Sequence, residues 1–399
     1  MQGPLSGIKV LDMSRYIAGP HCGMLLGDLG ADVIKIERRG KGEDSRGQGP
    51  FKTNGDQSVS LYFTQYNKNK RSLAIDFYNP KSIELLKKLI AKSDVLLENF
   101  RPGTLAKMGL SPACLLELNP KLVITSISGF GQEGAYRDRA AFDCIGQAFG
   151  GLMGISGEEN GQPLMSGTWV GDFVTALYAA YGTVSAVYYA KNTGVGQQLD
   201  ISLVECVTSI LATAVPNYAA NRVIQKPRGN RDNVCAPANL FHCKDGDVYF
   251  HGGTDPLFKR LTALMGQTEL LDDPRFCNVP MRMENYAAIE EIVQNWVGRY
   301  TRDEAEQLLV GAGIPFGKIS TVKDIVENPF FKERGAIIYQ DYPGIGEIAL
   351  PGIVVKMSKT PGGVRLRPPM TGEHNADILS EYLGMSQEEI QALEQEKII

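Results

Sequence analysis

The chain has 399 residues, 43% of them hydrophobic and 22% charged, with a net charge of −4. That length and composition suit a globular protein with room for two domains, and the slight acidity argues against nucleic-acid binding, which calls for a basic excess. Seven cysteines (22, 114, 144, 206, 235, 243, 277) form no CxxC pair and four histidines (21, 242, 251, 374) show no metal-ligand spacing, so reduced thiols in a cytoplasmic protein without a bound metal are the expectation.

The opening Met1-Gln2-Gly3-Pro4-Leu5 lacks the basic and apolar segments of a secretory leader. Residues 8–13 read as a first strand, followed by a turn at Gly19-Pro20 and a helix to about residue 29. A second strand covers 31–37. Apolar residues at 83, 86, 89 and 90 predict a helix over 79–93, capped by Asn79 with Pro80 at its first position. Strands at 95–97 and 122–127 complete an alternation that predicts an α/β fold with a parallel sheet. Ligands of such sheets sit beyond the carboxyl ends of the strands, here the loops after Met13, Glu37, Leu97 and Ile127.

The apolar run 173–190 is near the length that spans a membrane, but it holds four tyrosines and no charge pattern at its start, so a buried core helix is expected and no membrane contact. A polar, turn-rich connector at 226–233 leads into a smaller unit, 225–330, with a strand at 248–251 and helices near 256–266, 285–300 and 302–311. The segment 343–369 is rich in Gly and Pro, and a helical tail runs from 376 to about 395.

Chemistry concentrates in Gly167-Thr168-Trp169-Val170-Gly171-Asp172-Phe173. Asp172 stands where a helix N-cap belongs, facing orphan N–H groups and the positive end of the helix, which favours an ionised carboxylate. It reads either as a plain cap or as a carboxylate nucleophile. Residues 128–134 contain GxGxxG after a strand; the dinucleotide fingerprint also needs a helix directly after it and an acid about 20 residues on, so a nicotinamide-dependent oxidoreductase stays a thinly supported alternative. Arg38, Arg39, Lys41, Lys68, Lys70, Arg71, Arg101 and Lys107 cluster early in the chain, several at strand ends where they suit a phosphorylated ligand. In Glu98-Asn99-Phe100-Arg101-Pro102-Gly103, an amide, an aromatic face and a guanidinium suit an adenine-containing ligand, or else an ordinary capped loop.

Taken together and in order, residues 4–12, Ala18-Gly19-Pro20, 30–37, Asn69-Lys70-Arg71-Ser72, 99–103, Ser128-Gly129-Phe130-Gly131, Gly171-Asp172, 193–197 and Thr371-Gly372-Glu373-His374 resemble the family III CoA-transferases, the group of the formyl-CoA, carnitine and bile-acid enzymes. The resemblance implies an interlocked homodimer of chains with a large Rossmann-like CoA-binding domain (1–224, completed by a return segment at 331–399) and a smaller α+β domain (225–330). It implies Asp172 as catalytic aspartate and Ile17, Ala18, Arg38, Ile75, Asn99, Phe100 and Lys107 as CoA contacts. Coenzyme A, as acyl-CoA substrate, would then be the sole cofactor. The implied chemistry moves CoA from an acyl-CoA to a free carboxylic acid through an aspartyl anhydride and an aspartyl-CoA thioester. Tyr16, Tyr62, Phe142 and Trp169 are candidate walls of an acyl pocket. The related 2-methylacyl-CoA racemases pair the aspartate with a histidine that would fall at Phe142; a phenyl ring exchanges no proton, which sets that alternative behind. The tetraglycine loop of the formate and oxalate enzymes is missing, with Gly229-Asn230-Arg231 in that connector.

Overall fold

β-branched and aliphatic runs build the sheet on which the site rests. The computed structural model describes residues 3–399; Met1 and Gln2, where the stretch read for a leader begins, lie outside the described residues. Its strands are β1 (Lys9–Asp12), β2 (Asp32–Arg38), β3 (Phe51–Asn54), β4 (Gln57–Ser60), β5 (Lys70–Ile75), β6 (Val95–Glu98), β7 (Val123–Ser128) and β8 (Gln197–Ser202). β3 and β4 form an antiparallel hairpin. The other six make one wholly parallel sheet in the order β5-β2-β1-β6-β7-β8. The expected mixed α/β fold with a large parallel sheet is therefore present.

Alternation along each strand fills two apolar layers. Leu11, Ile34, Leu96 and Ile124 face the helix Pro80–Ile90 through Leu86 and Leu89. Val10, Val33, Leu97 and Val123 face the helix Ala18–Asp28 and the long helix Val170–Thr193. The chain moves outward from β1 through β2 to β5 on one side, and from β6 through β7 to β8 on the other. The topological switch thus lies between β1 and β6, where parallel sheets open a crevice for ligands.

Several local expectations need correction. Gly19-Pro20 is no turn: both residues lie in the first turn of the helix Ala18–Asp28, where proline's missing N–H costs nothing. β5 and β8 were not anticipated as strands. Both are sheet edges, where Lys70-Arg71-Ser72 and Gln197-Gln198 dilute the apolar signal. The tail forms two helices, Asn375–Leu383 and Gln387–Gln395, because Gly384 (φ +69°) closes the first and a Ser386–Glu389 capping box opens the second.

The long helix is buried on one face only. Ala176, Ala179, Ala186 and Ala190 pack against the sheet, while Leu177, Tyr181, Val184 and Tyr188 stay exposed at helical spacing. Among the described residues no single helix is long and apolar enough to cross a membrane; the pair Leu203–Ser209 and Ala214–Asn221 reaches that length only together, bent by 73°.

The chain divides into two units: one takes in everything up to Gly154 with Met165–Gln225 and Pro329–Ile399, the other Ile155–Leu164 with Lys226–Asn328. The smaller unit holds the antiparallel sheet of β9 (Ala238–Cys243), β10 (Gly246–His251) and β11 (Phe316–Lys318). Phe241, Phe250, Leu261, Trp296 and Leu309 form its core with the helices Asp255–Met265, Tyr286–Val297 and Arg302–Gly311. The hairpin β12 (Ile337–Tyr342) and β13 (Gly346–Pro351) belongs to the larger unit.

Candidate active site

Two loops meet at the switch between β1 and β6. The Asn99 side chain, after β6, accepts the Arg15 N–H (2.8 Å) and donates to the Arg15 carbonyl (2.7 Å) in the loop after β1. This two-point clamp holds the next residue, Tyr16, at φ +66°. A left-handed tyrosine costs on the order of 1–3 kcal/mol and persists only where its surroundings impose it. Asn99 was expected to grip a ligand through its amide; that amide is committed to the Arg15 backbone. Gly19 makes the approach feasible, since a Cβ there would lie 2.2 Å from the Ser14 Cβ.

Buried ion pairs fix the adjoining loops. Lys35 of β2 reaches Glu43 (2.6 Å) and the Ser14 carbonyl (2.6 Å). Glu37 binds Arg46 through two N–H groups at 2.7 Å each, the bidentate geometry that sets a guanidinium's orientation. The loops after β1 and β2 are thereby held to the strands beneath them.

Asp172 is the third residue of the long helix, whose N-cap is Trp169. The N-cap expectation is corrected: the helix begins two residues before Asp172. An outside carboxylate does the capping, as the Asp172 N–H donates to Asp143 Oδ1 at 3.1 Å. Asp143 is buried and also binds Gln147, whose amide oxygen accepts the Ser166 N–H at 3.0 Å. Gly171 admits Asp143, since a Cβ at that position would meet its Oδ1 at 2.9 Å and Val207 Cγ2 at 3.0 Å.

The electrostatics also depart from expectation. Burial, and then the Asp143 charge, raise the Asp172 carboxyl to about 7 rather than favouring its ionised form. Two neighbouring carboxylates resist joint ionisation, and no hydrogen-bond donor among the described residues engages the Asp172 side chain to oppose them. Tyr62 is pushed up by burial, Tyr66 and Asp172, and Tyr66 is pushed up to about 12 by burial and Asp172.

Aromatic rings surround this carboxylate. Tyr16 meets Phe142 edge-on at 5.8 Å between centroids, Tyr62 meets Trp169 at 5.4 Å, and His21 meets Phe173 at 5.0 Å. Burial and the cations of Lys68 and Lys70 push His21 down to about 4, so its imidazole is neutral at pH 7.

Asp172 opens into a cavity of about 220 Å³ lined by Tyr16, Ile17, Ala18, Asn99, Phe100, Phe142 and three guanidiniums, Arg15, Arg101 and Arg139. A second cavity of about 730 Å³ is lined by Arg38, Lys107, Phe77, Tyr78 and the 80–90 helix, and shares Arg15 and Phe100 with the first. Asp44 lies between Arg15 (3.1 Å) and Arg38, so two cations share one carboxylate, while the lining Glu43, Glu37 and Glu84 each pair with a cation of their own, Lys35, Arg46 and Lys87.

The anticipated residues therefore fall into four groups. Asp172, Tyr16, Ile17, Ala18, Asn99, Phe100 and Phe142 line the smaller cavity; Arg38 and Lys107 line the larger one. Tyr62 and Trp169 line neither cavity and are in edge-on ring contact with each other. Ile75 lines neither: its side chain is in the core, and its carbonyl accepts the Arg39 N–H (2.9 Å) at the end of β5 beside Arg38.

Three of the eight early cations are structural. Lys70 is buried against Asp12 (2.8 Å), Lys68 against Asp28 (2.6 Å), and Arg71 pairs with Asp32 and Glu381. Lys70 and Arg71 open the edge strand β5, and Lys70 also donates to the Pro20 carbonyl (2.7 Å) while its partner Asp12 accepts the Ser14 N–H (2.9 Å), so this buried pair supports the loop after β1. Asp143 and Arg15 escaped sequence reading, although Asp143 directly follows Phe142. At Gly129–Gly134 no helix follows; the next begins at Asp143, and the Gln132 N–H donates to the Asp200 carboxylate at 2.8 Å. One N–H of this loop is thus already committed to a carboxylate.

The model of the family described as CoA-transferase family III matches residues 5–375. The chain is 37% identical to the succinyl-CoA--D-citramalate CoA-transferase of Chloroflexus aurantiacus, over 99% of this chain and 98% of that one. It is 34% identical to the succinyl-CoA:glutarate CoA-transferase of Homo sapiens, over 95% of this chain and 86% of that one. A crystal structure of a CAIB/BAIF family protein from Brucella suis superposes with a TM-score of 0.85 at 36% identity, covering 96% of this chain and all of that one.

Proposed function

The chain belongs to CoA-transferase family III, and on that premise we propose that it moves CoA between short dicarboxylic acids with Asp172 as the nucleophile. The observation that carries this reading is the Asp172 carboxylate, with no hydrogen-bond donor on it among the described residues, in a small cavity that shares two residues with a larger one lined by Arg38 and Lys107. The larger cavity suits the nucleotide end of CoA, with Arg38 and Lys107 facing phosphates, the first as a fork and the second as a point charge. The smaller suits the thioester.

In the proposed cycle an Asp172 oxygen attacks the thioester carbonyl of the donor, and the C–S bond breaks to give a mixed anhydride and CoA thiolate. The thiolate attacks the aspartyl carbonyl of that anhydride, releasing the donor's acid and leaving an aspartyl-CoA thioester. The acceptor carboxylate then expels the thiolate as a second anhydride forms. Attack of the thiolate on the acceptor's acyl carbon yields the new acyl-CoA and regenerates Asp172. Each exchange conserves an activated acyl bond, so covalent catalysis divides the transfer into feasible steps. The ionised form of Asp172 is the reactive one.

Substrate class draws support from two sides. Relatives are named for transfers from succinyl-CoA to citramalate, malate and glutarate, all of them dicarboxylates. Arg15, Arg101 and Arg139 around a cavity of about 220 Å³ suit a short chain that ends in a second carboxylate. Phe142 offers no proton where a racemase needs histidine. The reading extends to a homodimer, supported by the exposed apolar stripe of the long helix.

The test is initial-rate transfer from succinyl-CoA to glutarate, malate or butyrate. Dicarboxylates should exceed butyrate at least tenfold in kcat/KM. Asp172→Ala should abolish transfer while retaining CoA binding. Transfer by that variant sinks the nucleophile; equal use of butyrate sinks the substrate class alone.

A further inference from the structure

We propose that Asp232, Cys235 and His251 of the smaller unit form a binding site for a thiophilic divalent cation, zinc foremost. The three side chains bring a carboxylate oxygen, a sulfur and an imidazole nitrogen within 4.8 Å of one another. Cys235 Sγ lies 3.0 Å from His251 Nε2 and 3.5 Å from Asp232 Oδ1. A tetrahedral zinc, with bonds of about 2.3 Å to sulfur and about 2.0–2.2 Å to nitrogen or oxygen, separates its donors by about 3.5 Å. The Cys–Asp pair is already at that spacing, and the Cys–His pair reaches it by opening about half an ångström.

The linear spacing of cysteines and histidines gave no hint of this group. Asp232 and Cys235 precede β9 and His251 ends β10, so only the antiparallel pairing of those strands unites them. Main-chain bonds make the frame rigid: the Asp232 N–H donates to the Ala238 carbonyl (2.9 Å), the Gly252 N–H to Pro237 (2.9 Å) and the His251 N–H to Pro315 (3.0 Å). Cys235 is 5% exposed, and the buried Nδ1 of His251 has no hydrogen-bond partner among the described residues. The ring nitrogen directed into the cluster is Nε2, which faces the Cys235 sulfur.

The donor set selects the metal. A thiolate and an imidazole suit zinc and other soft or borderline ions, and disfavour magnesium and calcium, which require oxygen ligands. Binding forms a metal–sulfur bond and releases the thiol proton to solvent. Three protein ligands leave a fourth position for water or an external ligand.

The experiment uses the full chain, freed of metal with a chelator and titrated with Co²⁺, then with Zn²⁺ in competition. The expected result is one Co²⁺ per chain with a sulfur-to-cobalt charge-transfer absorption that zinc displaces. Cys235→Ser should remove that absorption, and His251→Gln and Asp232→Asn should each weaken binding at least tenfold. Circular dichroism of the metal-free variants checks folding; should Cys235→Ser fail to fold, the other two carry the comparison. Absence of the absorption in the unaltered protein overturns the proposal, as does an absorption or affinity that all folded variants retain.

Discussion

In the proposed reaction the Asp172 carboxyl, raised to about 7, is mostly protonated and unreactive as a nucleophile at pH 6, which would tie turnover to pH. The sign follows from the direction of the shift. The folded pKa is raised to about 7 from an ordinary 3.8, so the carboxylate is depleted as pH falls through 7 and turnover falls with it, roughly tenfold per unit well below that value. The same shift adds stability below the ordinary carboxyl range, which is lost as pH rises through 7. Asp143→Asn removes the neighbouring charge while its amide oxygen still accepts the Asp172 N–H. The variant's rate profile should keep its plateau to lower pH than the unaltered protein. An unmoved acid limb would contradict the pairing. Of this site, the Gly171-Asp172 pair was legible in sequence because a carboxylate beside a glycine at a helix start is a local pattern. Asp143 was not, because it acts across 29 residues that only packing brings together.

Among the elements, interior strands declared themselves and edges did not. β1, β2, β6 and β7 are aliphatic runs buried on both faces, whereas β5 opens on two cations whose partners, Asp12 and Asp32, are distant in sequence. The long helix was legible as a helix, but its environment was not, since a uniformly apolar run does not say which face meets its own sheet. Its outward stripe of Leu177, Tyr181, Val184 and Tyr188 has the spacing of a packing surface, with Tyr181 and Tyr188 each more than 70% exposed. Replacing both tyrosines by glutamate would bury two charges in the proposed dimer, a cost of several kcal/mol. Light scattering should find a dimer for the unaltered protein and a monomer for Tyr181→Glu/Tyr188→Glu. A monomeric parent, or a dimer that survives both changes, would contradict this use of the stripe.

At the scale of the whole molecule, the two cavities open where the parallel sheet changes direction. The loops after β1, β2, β6 and β7 line the two cavities, as alternating strands and helices led one to expect. The clamp of Asn99 on Arg15 joins two of these loops across the switch, and that device is visible only in three dimensions. Arg15 and Phe100 belong to both cavities, so in the proposed complex CoA with its phosphates at Arg38 would turn its thioester toward Asp172. The most direct test of the account is to incubate the protein with succinyl-CoA, trap with hydroxylamine and map the modified peptide by mass spectrometry. The account predicts a hydroxamate on Asp172, formed only with the thioester present. An unmodified Asp172 in protein that turns over succinyl-CoA, or a hydroxamate at another carboxylate, would contradict it.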